Sequence, residues 1–187
     1  MIEVELKAKM EKMEIPNFIN NIIEMGFKKI AKKKEIDTYF NGIDRDFKET
    51  DEAVRIRQSI NLDSQETYYN ITYKGAKIDS ISKTREELEI KIDDGETARK
   101  IFERLGFKPV KPITKIREIY QKEEQDIIIT IDEVENVGTY VEFEKVVNDL
   151  SEKEQAINEL FEILKSLNIS KDKLVKTSYL GLRDNNG

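Results

Sequence analysis

Apolar positions recur along the chain with two different periods, and each period predicts a different kind of element. Three segments carry an apolar stripe with the 3.6-residue period of a helix, at residues 16–26, 96–106 and 151–167. Pro16 suits a first helical turn, Gly26 and Gly106 suit helix ends, and Ser151 with Glu154 has the spacing of a capping box. Each predicted helix therefore needs an apolar surface to cover. The stripes comprise Phe18, Ile19, Ile22 and Ile23; Ala98, Ile101, Phe102 and Leu105; and Ile157, Leu160, Phe161, Leu164 and Leu167.

Most other segments alternate with period two, which predicts strands with a charged face and an apolar face. In residues 1–9, for example, Glu3, Glu5 and Lys7 alternate with Val4 and Leu6. Turn residues at 41–42, 93–95 and 136–138 separate these segments. The same division places further charges on common faces: Arg55 and Arg57; Arg85, Glu87, Glu89 and Lys91; Lys115 and Arg117; Glu142 and Glu144.

A weak internal repeat of strand, helix and strand occurs three times. Residues 3–7, 87–91 and 142–145 precede helices that end at 25–28, 105–108 and 167–169. Strands are then expected to approach Tyr39, Tyr120 and Tyr179, and the third copy is the loosest. A composition rich in Glu, Lys and Ile could also produce such echoes by chance.

Charges of both signs share the same strand faces, and this mixture carries the functional argument. An ordinary antiparallel sheet turns its charges to solvent, whereas a closed barrel with helices outside could turn them toward a wet interior. Because desolvating an ion costs several kcal/mol, such an interior must stay hydrated or bind ions. A triphosphate with a divalent metal meets that demand, since Lys and Arg bind phosphate and carboxylates bind the metal. Single motifs are weak, because Glu-x-Glu also occurs at Glu133 and Glu135 and at Glu152 and Glu154.

Composition narrows the chemistry further. The 187 residues suit one domain, expected over 1–183 with a flexible tail at 184–187. Charged residues make up 37%, and the net charge of −6 disfavours nucleic acid as a partner. The absence of Cys and His excludes disulfides, thiolate nucleophiles and imidazole ligands, so carboxylates would bind Mg²⁺ or Mn²⁺. With no signal-peptide core or membrane span, we expect a cytoplasmic protein without a membrane partner, and the oligomeric state stays open, a homodimer included.

Several motifs, in order, resemble those of the CYTH family, named for adenylyl cyclase and thiamine triphosphatase and also called triphosphate tunnel metalloenzymes. The first is Glu-x-Glu-x-Lys, which stands here as residues 3–7. The resemblance covers nearly the whole chain and implies an α+β fold, an eight-stranded antiparallel barrel around a tunnel with helices packed outside. The later motifs are residues 37–40, 53–57, 72–75, 115–117, Asp132, 138–144 and 176–179.

The resemblance also implies roles for individual residues. Glu3, Glu5, Asp132, Glu142 and Glu144 match metal-binding carboxylates, and Glu3, Glu5 and Lys7 would serve catalysis. The triphosphate would be bound by Lys7, Arg55, Arg57, Lys74, Lys115 and Arg117. Strand parity and approximate motif position add Arg85, Glu87, Glu89 and Lys176, each of which could instead form a structural ion pair.

Members of this family act as cyclases or as hydrolases. The motif order and length favour a class IV adenylyl cyclase, in which the ribose 3′-hydroxyl of ATP attacks the α-phosphorus and releases pyrophosphate. Hydrolysis of inorganic, thiamine or nucleoside triphosphate is the close alternative, with a water as nucleophile. A noncatalytic polyphosphate-binding module and a barrel of structural salt bridges are the remaining alternatives.

Overall fold

The computed structural model describes residues 2–78, 82–122 and 126–185. Met1 and residues 186–187, which belong to a predicted strand and to the predicted tail, lie outside these ranges. The strands are β1 Ile2–Met10, β2 Lys28–Asn41, β3 Ala53–Asn61, β4 Thr67–Lys74, β5 Arg85–Ile92, β6 Lys108–Pro109, β7 Ile113–Gln121, β8 Ile127–Val134 and β9 Gly138–Val147. The helices are α1 Ile15–Glu24, α2 Gly95–Leu105, α3 Lys153–Ser166 and α4 Tyr179–Asn185.

All strand pairings are antiparallel, and eight strands close into a barrel. Their order around the barrel is β3, β4, β5, β1, β9, β8, β7 and β2, and pairing of β2 with β3 completes the circle. The short β6 pairs with the end of β2 at Phe40 and Asn41. The pairing of β1 with β5 is the shortest between barrel strands, with Ile2 opposite Glu86 and Glu3 opposite Arg85. The predicted eight-stranded barrel with helices outside is therefore confirmed.

Strand register decides which side chains share the interior. Glu5 lies directly opposite Glu144, and Lys7 lies opposite Glu142. Because side chains alternate between the two faces of a strand, these four side chains point to the same face of the sheet, as does every second residue along each strand. The intervening residues point outward, so one strand supplies the tunnel and the outer core at once.

The outer core lies where α1 and α3 cover β1, β8 and β9. Leu6 and Phe143 are almost fully buried there, and the rings of Phe18 and Phe143 meet edge to face with centroids 6.2 Å apart. Edge-to-face aromatic contacts and apolar burial both stabilise this side of the barrel. The cluster continues through Val4, Ala8, Ile22, Phe27, Ile127, Ile129, Ile131, Val141, Ala156, Leu160 and Leu164.

Helix coverage of the apolar outer face is uneven. Helix α3 packs on β1 and β9, and α2 packs on β3 and β6, so β5 has no such cover among the described elements. Leu88 and Ile90 on the outer face of β5 are 56% and 61% exposed. Two residues of the predicted α2 stripe, Ile101 and Leu105, are also exposed, because α2 contacts the sheet mainly through Phe102, whose ring lies 5.1 Å from that of Phe40.

The three repeat units end their helices in the same way. Gly26, Gly106 and Asn168 all have positive φ, at 92°, 103° and 54°. The next residue in each case donates a backbone hydrogen bond to the carbonyl five positions earlier. The pairs are Phe27 to Ile22, Phe107 to Phe102 and Ile169 to Leu164. This is the bonding of a Schellman helix end, and it supports a structural repeat.

Two local predictions in the third repeat unit are wrong. Within the described residues no strand follows α3: a 3-10 turn, Lys171–Lys173, and a single bridge between Leu174 and Ala8 stand in its place. Ser151 is also not the cap of α3, because the Asp149 carboxylate accepts from the Ser151 amide at 2.8 Å and the α-helix begins at Lys153. Helix α4 extends to Asn185, into the predicted tail.

Candidate functional site

The inward-facing side chains line a cavity of about 510 Å³ inside the barrel. Eight acidic and eight basic residues contribute to this lining. Their charges balance, so binding a polyanion requires additional positive charge. The acids are Glu3, Glu5, Glu35, Asp37, Glu87, Glu89, Glu142 and Glu144, and the bases are Lys33, Arg55, Arg57, Lys74, Lys83, Arg85, Lys115 and Arg117.

Three carboxylates meet where β1 pairs with β9. One oxygen each from Glu5, Glu142 and Glu144 lies within 4.8 Å of the others. Burial, followed by the negative charge of Glu142, raises the pKa of Glu5, and burial followed by Glu3 raises the pKa of Glu144. Burial would also raise the pKa of Glu142, but Arg117 at 2.5 Å lowers it well below its usual value. Arg117 also lies 3.7 Å from Glu144, but this contact does not offset the effect of burial on the Glu144 pKa.

Lys83 supplies a cation to this cluster and was not identified in the sequence. Its Nζ lies 2.5 Å from Glu5 and 4.0 Å from Glu142, and its backbone amide donates to the Glu5 carbonyl. Burial would lower the pKa of Lys83, but Glu5 and Glu142 raise it above its usual value. Lys83 precedes β5 and has the same parity as Arg85 and Glu87, so extending the alternation by two residues could have identified it.

The basic side chains of β3 are held by acids of β2. Arg57 donates to both carboxylate oxygens of Asp37, at 2.6 and 2.7 Å, and also lies 3.1 Å from Glu35. Burial would raise the pKa of Glu35, but Arg57 and Lys115 lower it to about 2. Arg55 lies 3.5 Å from the same Asp37. Both guanidinium groups are thereby oriented before any ligand arrives.

A second set of bases lies on β7. Arg117 donates to Asp132 at 2.7 and 2.5 Å, and Lys115 lies 3.1 Å from the same carboxylate. Asp132 is fully buried and is not part of the cluster of Glu5, Glu142 and Glu144. In this structure Asp132 positions two basic side chains, and its assignment as a metal ligand stays a prediction.

The β4–β5 side of the tunnel contains the remaining predicted site residues. Lys74 donates to Glu87 and lies 3.6 Å from Glu3. Burial would raise the pKa of Glu3, but Lys74 lowers it to about 2, whereas burial raises the pKa of Glu87 to about 7. Glu89 accepts from the Thr72 hydroxyl at 2.7 Å. Arg85 lines the same wall.

The carboxyl-terminal segment packs at one end of the tunnel. Lys7 is buried behind the lining, where its Nζ donates to the carbonyl of Thr177 and lies 4.2 Å from the Tyr179 ring centroid. Burial, with the nearby charge of Lys83, lowers the pKa of Lys7 to about 7. Tyr179 lines the cavity, and its buried hydroxyl has no hydrogen-bond partner among the described residues. Lys176 is exposed and is not part of the lining.

The tunnel brings together most of the predicted site residues and adds several that the sequence did not single out. Glu35 has the same strand parity as Asp37, so alternation along β2 could have identified it. Tyr179 and Ser178 stand in a recognised motif but received no role. Lys33 was missed because it is one of five lysines at 28–34, which obscure the alternation there.

The structure is thus a closed antiparallel barrel with an internal cavity lined by charges of both signs. A CYTH domain matches residues 1–179. A Methanocaldococcus jannaschii protein named "putative adenylate cyclase" is 53% identical over 183 residues, which cover 98% of this chain and 99% of that protein. The chain therefore belongs to the CYTH family.

Solved structures share the fold over their full length. The PH1819 protein from Pyrococcus horikoshii has a TM-score of 0.88 at 36% identity and covers 99% of both chains. A Hippeastrum protein described as a "putative adenylyl cyclase" with a dominant triphosphatase activity has a TM-score of 0.65 at 18% identity. The match covers 98% of this chain and 95% of that one, and this likeness concerns the fold alone. None of the described helices has the length and apolar character that a membrane span requires.

Proposed function

We propose that this protein is a metal-dependent enzyme that binds the triphosphate of ATP in its tunnel and forms cyclic AMP and pyrophosphate. The observation that carries the proposal is the meeting of a three-carboxylate cluster and several pre-oriented basic side chains in one enclosed cavity. A structural salt-bridge network alone would not require carboxylates crowded against one another, because like charges destabilise the fold. The 53% identical relative carries the name of an adenylate cyclase, which agrees with this assignment.

The basic side chains would bind the phosphate oxygens. Arg57 and Arg117 are each fixed by a bidentate carboxylate pair, so they lose little freedom when a phosphate replaces water on their open edge. Lys74 and Arg55 face the same cavity from β4 and β3. Unpartnered polar atoms of Asn70 and Tyr179 also face the cavity, as expected for a site shaped around a polar ligand.

The carboxylate cluster fits a hard divalent cation. Glu5, Glu142 and Glu144 offer only oxygen ligands, which suit Mg²⁺ or Mn²⁺, and Glu3 lies two residues from Glu5 on the same face of β1. When bound, such an ion neutralises phosphate charge and lowers the pKa of an attacking hydroxyl or water. Acidic and basic residues are equal in number in the lining, so added positive charge would favour the entry of a triphosphate.

In the cyclase reaction, the ribose 3′-oxygen forms a bond with the α-phosphorus and its proton passes to solvent water. The bond from the α-phosphorus to the bridging oxygen breaks, and pyrophosphate leaves with that oxygen. The chain's contribution is to hold the triphosphate on the basic side chains so that the 3′-hydroxyl faces the α-phosphorus, and to stabilise the charge on the departing pyrophosphate.

Hydrolysis of a triphosphate is the second candidate. The same groups can bind inorganic triphosphate without any base or ribose, and water can enter the tunnel. The Hippeastrum protein, which shares the fold, is described as having a dominant triphosphatase activity. The two reactions differ only in the nucleophile, so product analysis separates them.

The deciding experiment is chromatography of the products formed from ATP and, separately, from tripolyphosphate with Mn²⁺ or Mg²⁺. Cyclic AMP with pyrophosphate supports the cyclase, whereas ADP with orthophosphate supports the hydrolase. Glu144→Gln should remove either activity, and Glu86→Gln on the exposed outer face of β5 is the matched control. Tight tripolyphosphate binding without metal and without turnover would instead indicate a noncatalytic module, and absence of binding would indicate a structural network.

A further inference from the structure

One wall of the tunnel is apolar, although most of the lining is charged. Ile119, Ile128 and Val146 follow one another on the neighbouring strands β7, β8 and β9, and all three line the cavity. Val146 remains 44% exposed although it faces the interior. An apolar side chain that is left open to water inside a charged tunnel gains free energy when a ligand with an apolar face covers it.

The residues across the barrel offer a different surface. Strand β4 stands opposite β8 in the barrel order, and its Tyr68 and Asn70 line the same cavity. The Asn70 amide nitrogen donates to Glu89 at 2.9 Å, which fixes the amide orientation because a carboxylate only accepts. The Asn70 carbonyl oxygen is buried and has no partner among the described residues. It therefore lacks a hydrogen-bond donor.

These residues lie at the same end of the barrel. Ile119 and Val146 stand near the carboxyl ends of their strands, whereas Ile128, Tyr68 and Asn70 stand near the amino ends of theirs, and antiparallel pairing brings those ends together. The opposite end is the one where Lys7 and Tyr179 meet the carboxyl-terminal segment.

The apolar wall also adjoins the carboxylate cluster. Ile128 lies directly opposite Glu144, and Val146 lies directly opposite Glu3. A planar base on this wall would place its ribose and α-phosphate beside the carboxylates. The β- and γ-phosphates would then extend past Arg57, which pairs with Asn70, toward Arg55, Lys115 and the end where Tyr179 packs.

We propose that Ile119, Ile128, Val146 and Asn70 form the subsite for the base of a nucleoside triphosphate and select adenine. This proposal rests on the proposed function and adds the orientation of the substrate: the base occupies the end lined by Val146, and the phosphates point to the end where Tyr179 packs. The 6-amino group of adenine donates to the free Asn70 oxygen. Guanine presents a carbonyl at that position, and two acceptors repel each other.

The test measures dissociation constants by calorimetric titration with Mg²⁺ for three ligands: tripolyphosphate, 3′-deoxy-ATP and 3′-deoxy-GTP. The 3′-deoxy nucleotides cannot cyclise. Val146→Ser should weaken binding of 3′-deoxy-ATP about tenfold and leave that of tripolyphosphate within about twofold. Asn70→Ala should reduce the preference for the adenine nucleotide over the guanine nucleotide about tenfold. Ile90→Ser, the same kind of truncation on the exposed outer face of β5, is the matched control.

Retained tripolyphosphate binding reports that each variant is folded, and Val146→Thr provides a variant of nearly unchanged shape. The subsite is overturned, while the proposed function stands, if the variants bind 3′-deoxy-ATP as tightly as the wild type does, or if they lose both ligands in equal proportion. It is also overturned if the wild type binds the two nucleotides equally well. A wild type that binds no tripolyphosphate with Mg²⁺ overturns the proposed function and the subsite together.

Discussion

The two faces of strand β1 differ in polarity: one is apolar and packed under helices, and the other carries charges. Leu6 points outward and is almost fully buried in the core beneath α1 and α3, whereas its neighbour Glu5 points into the tunnel among other charges. Burial of Leu6 stabilises the fold, and burial of Glu5 opposes it unless a cation or ligand compensates. Whether a residue of β1 contributes to the stability of the fold or to the proposed ligand site therefore depends on which face of the strand it occupies.

The tunnel itself shows a second contrast. Asp37 and Asp132 are each paired with a guanidinium group in bidentate geometry, while Glu5 and Glu144 crowd one another. The paired acids orient the bases, and the crowded acids leave room for added positive charge. This contrast supports the proposed ligand site over a purely structural salt-bridge network.

The largest effect on the outer face is expected from Leu6→Ala. Removing a buried leucine in a well-packed core should lower the free energy of unfolding by about 2–5 kcal/mol, because apolar contact is lost and a cavity is left. Equilibrium denaturation in urea measures this change. A loss below about 1 kcal/mol would mean that the core under α1 and α3 is not well packed at this site.

On the inner face, Glu5→Gln should abolish measurable turnover, a loss of at least about a hundredfold or about 2.7 kcal/mol in activation free energy. The free energy of unfolding should be unchanged or increased, because one of several crowded charges is removed. Product chromatography and urea denaturation on the same preparation measure the two quantities. Full activity in this variant would remove Glu5 from the mechanism. Chelation of divalent ions should likewise abolish the activity of the wild type without unfolding it.

A smaller effect is expected from Glu35→Gln, which removes a paired acid of the tunnel. The pKa of Glu35 is lowered to about 2 in the fold, so its contribution to stability is present above the unfolded-state pKa and lost as the pH falls through the folded value. The variant should be about 2 kcal/mol less stable than the wild type at pH 7, and the difference should shrink toward about pH 2. Denaturation between these pH values measures it, and a difference independent of pH would contradict an electrostatic role.

The smallest effect is expected from Ile90→Ser. Ile90 lies on the outer face of β5 but is 61% exposed, so its truncation should change the free energy of unfolding by no more than about 0.5 kcal/mol. Leu6 and Ile90 both point outward, but only Leu6 is covered by helices. Comparing the two variants therefore measures how much helix coverage contributes to the free energy of unfolding. A loss as large as that of Leu6→Ala would show that this face is covered by something in solution, and a concentration-dependent melting temperature would identify a second copy of the chain.

Alternation predicted the strands and their faces well, because period two is a local property of each strand. It placed Arg55, Arg57, Glu142 and Glu144 on charged faces, and the structure turns all of these inward. The predicted eight-stranded count and closure came from the resemblance to a family, because no local pattern tells which strands pair. The strand expected to approach Tyr179 was inferred from the internal repeat, and the structure has no strand there among the described residues.

The sequence by itself determined which residues could share a face, where the helices end, and that oxygen ligands would be the only side-chain ligands for a metal. Only the tertiary structure decided that Lys83 reaches Glu5, that Asp132 binds Arg117 and Lys115, and that Ile119, Ile128 and Val146 join into one apolar wall. These contacts depend on the register between strands distant along the chain. Register is set by the summed packing of the whole barrel, and the sequence of a single strand does not specify it.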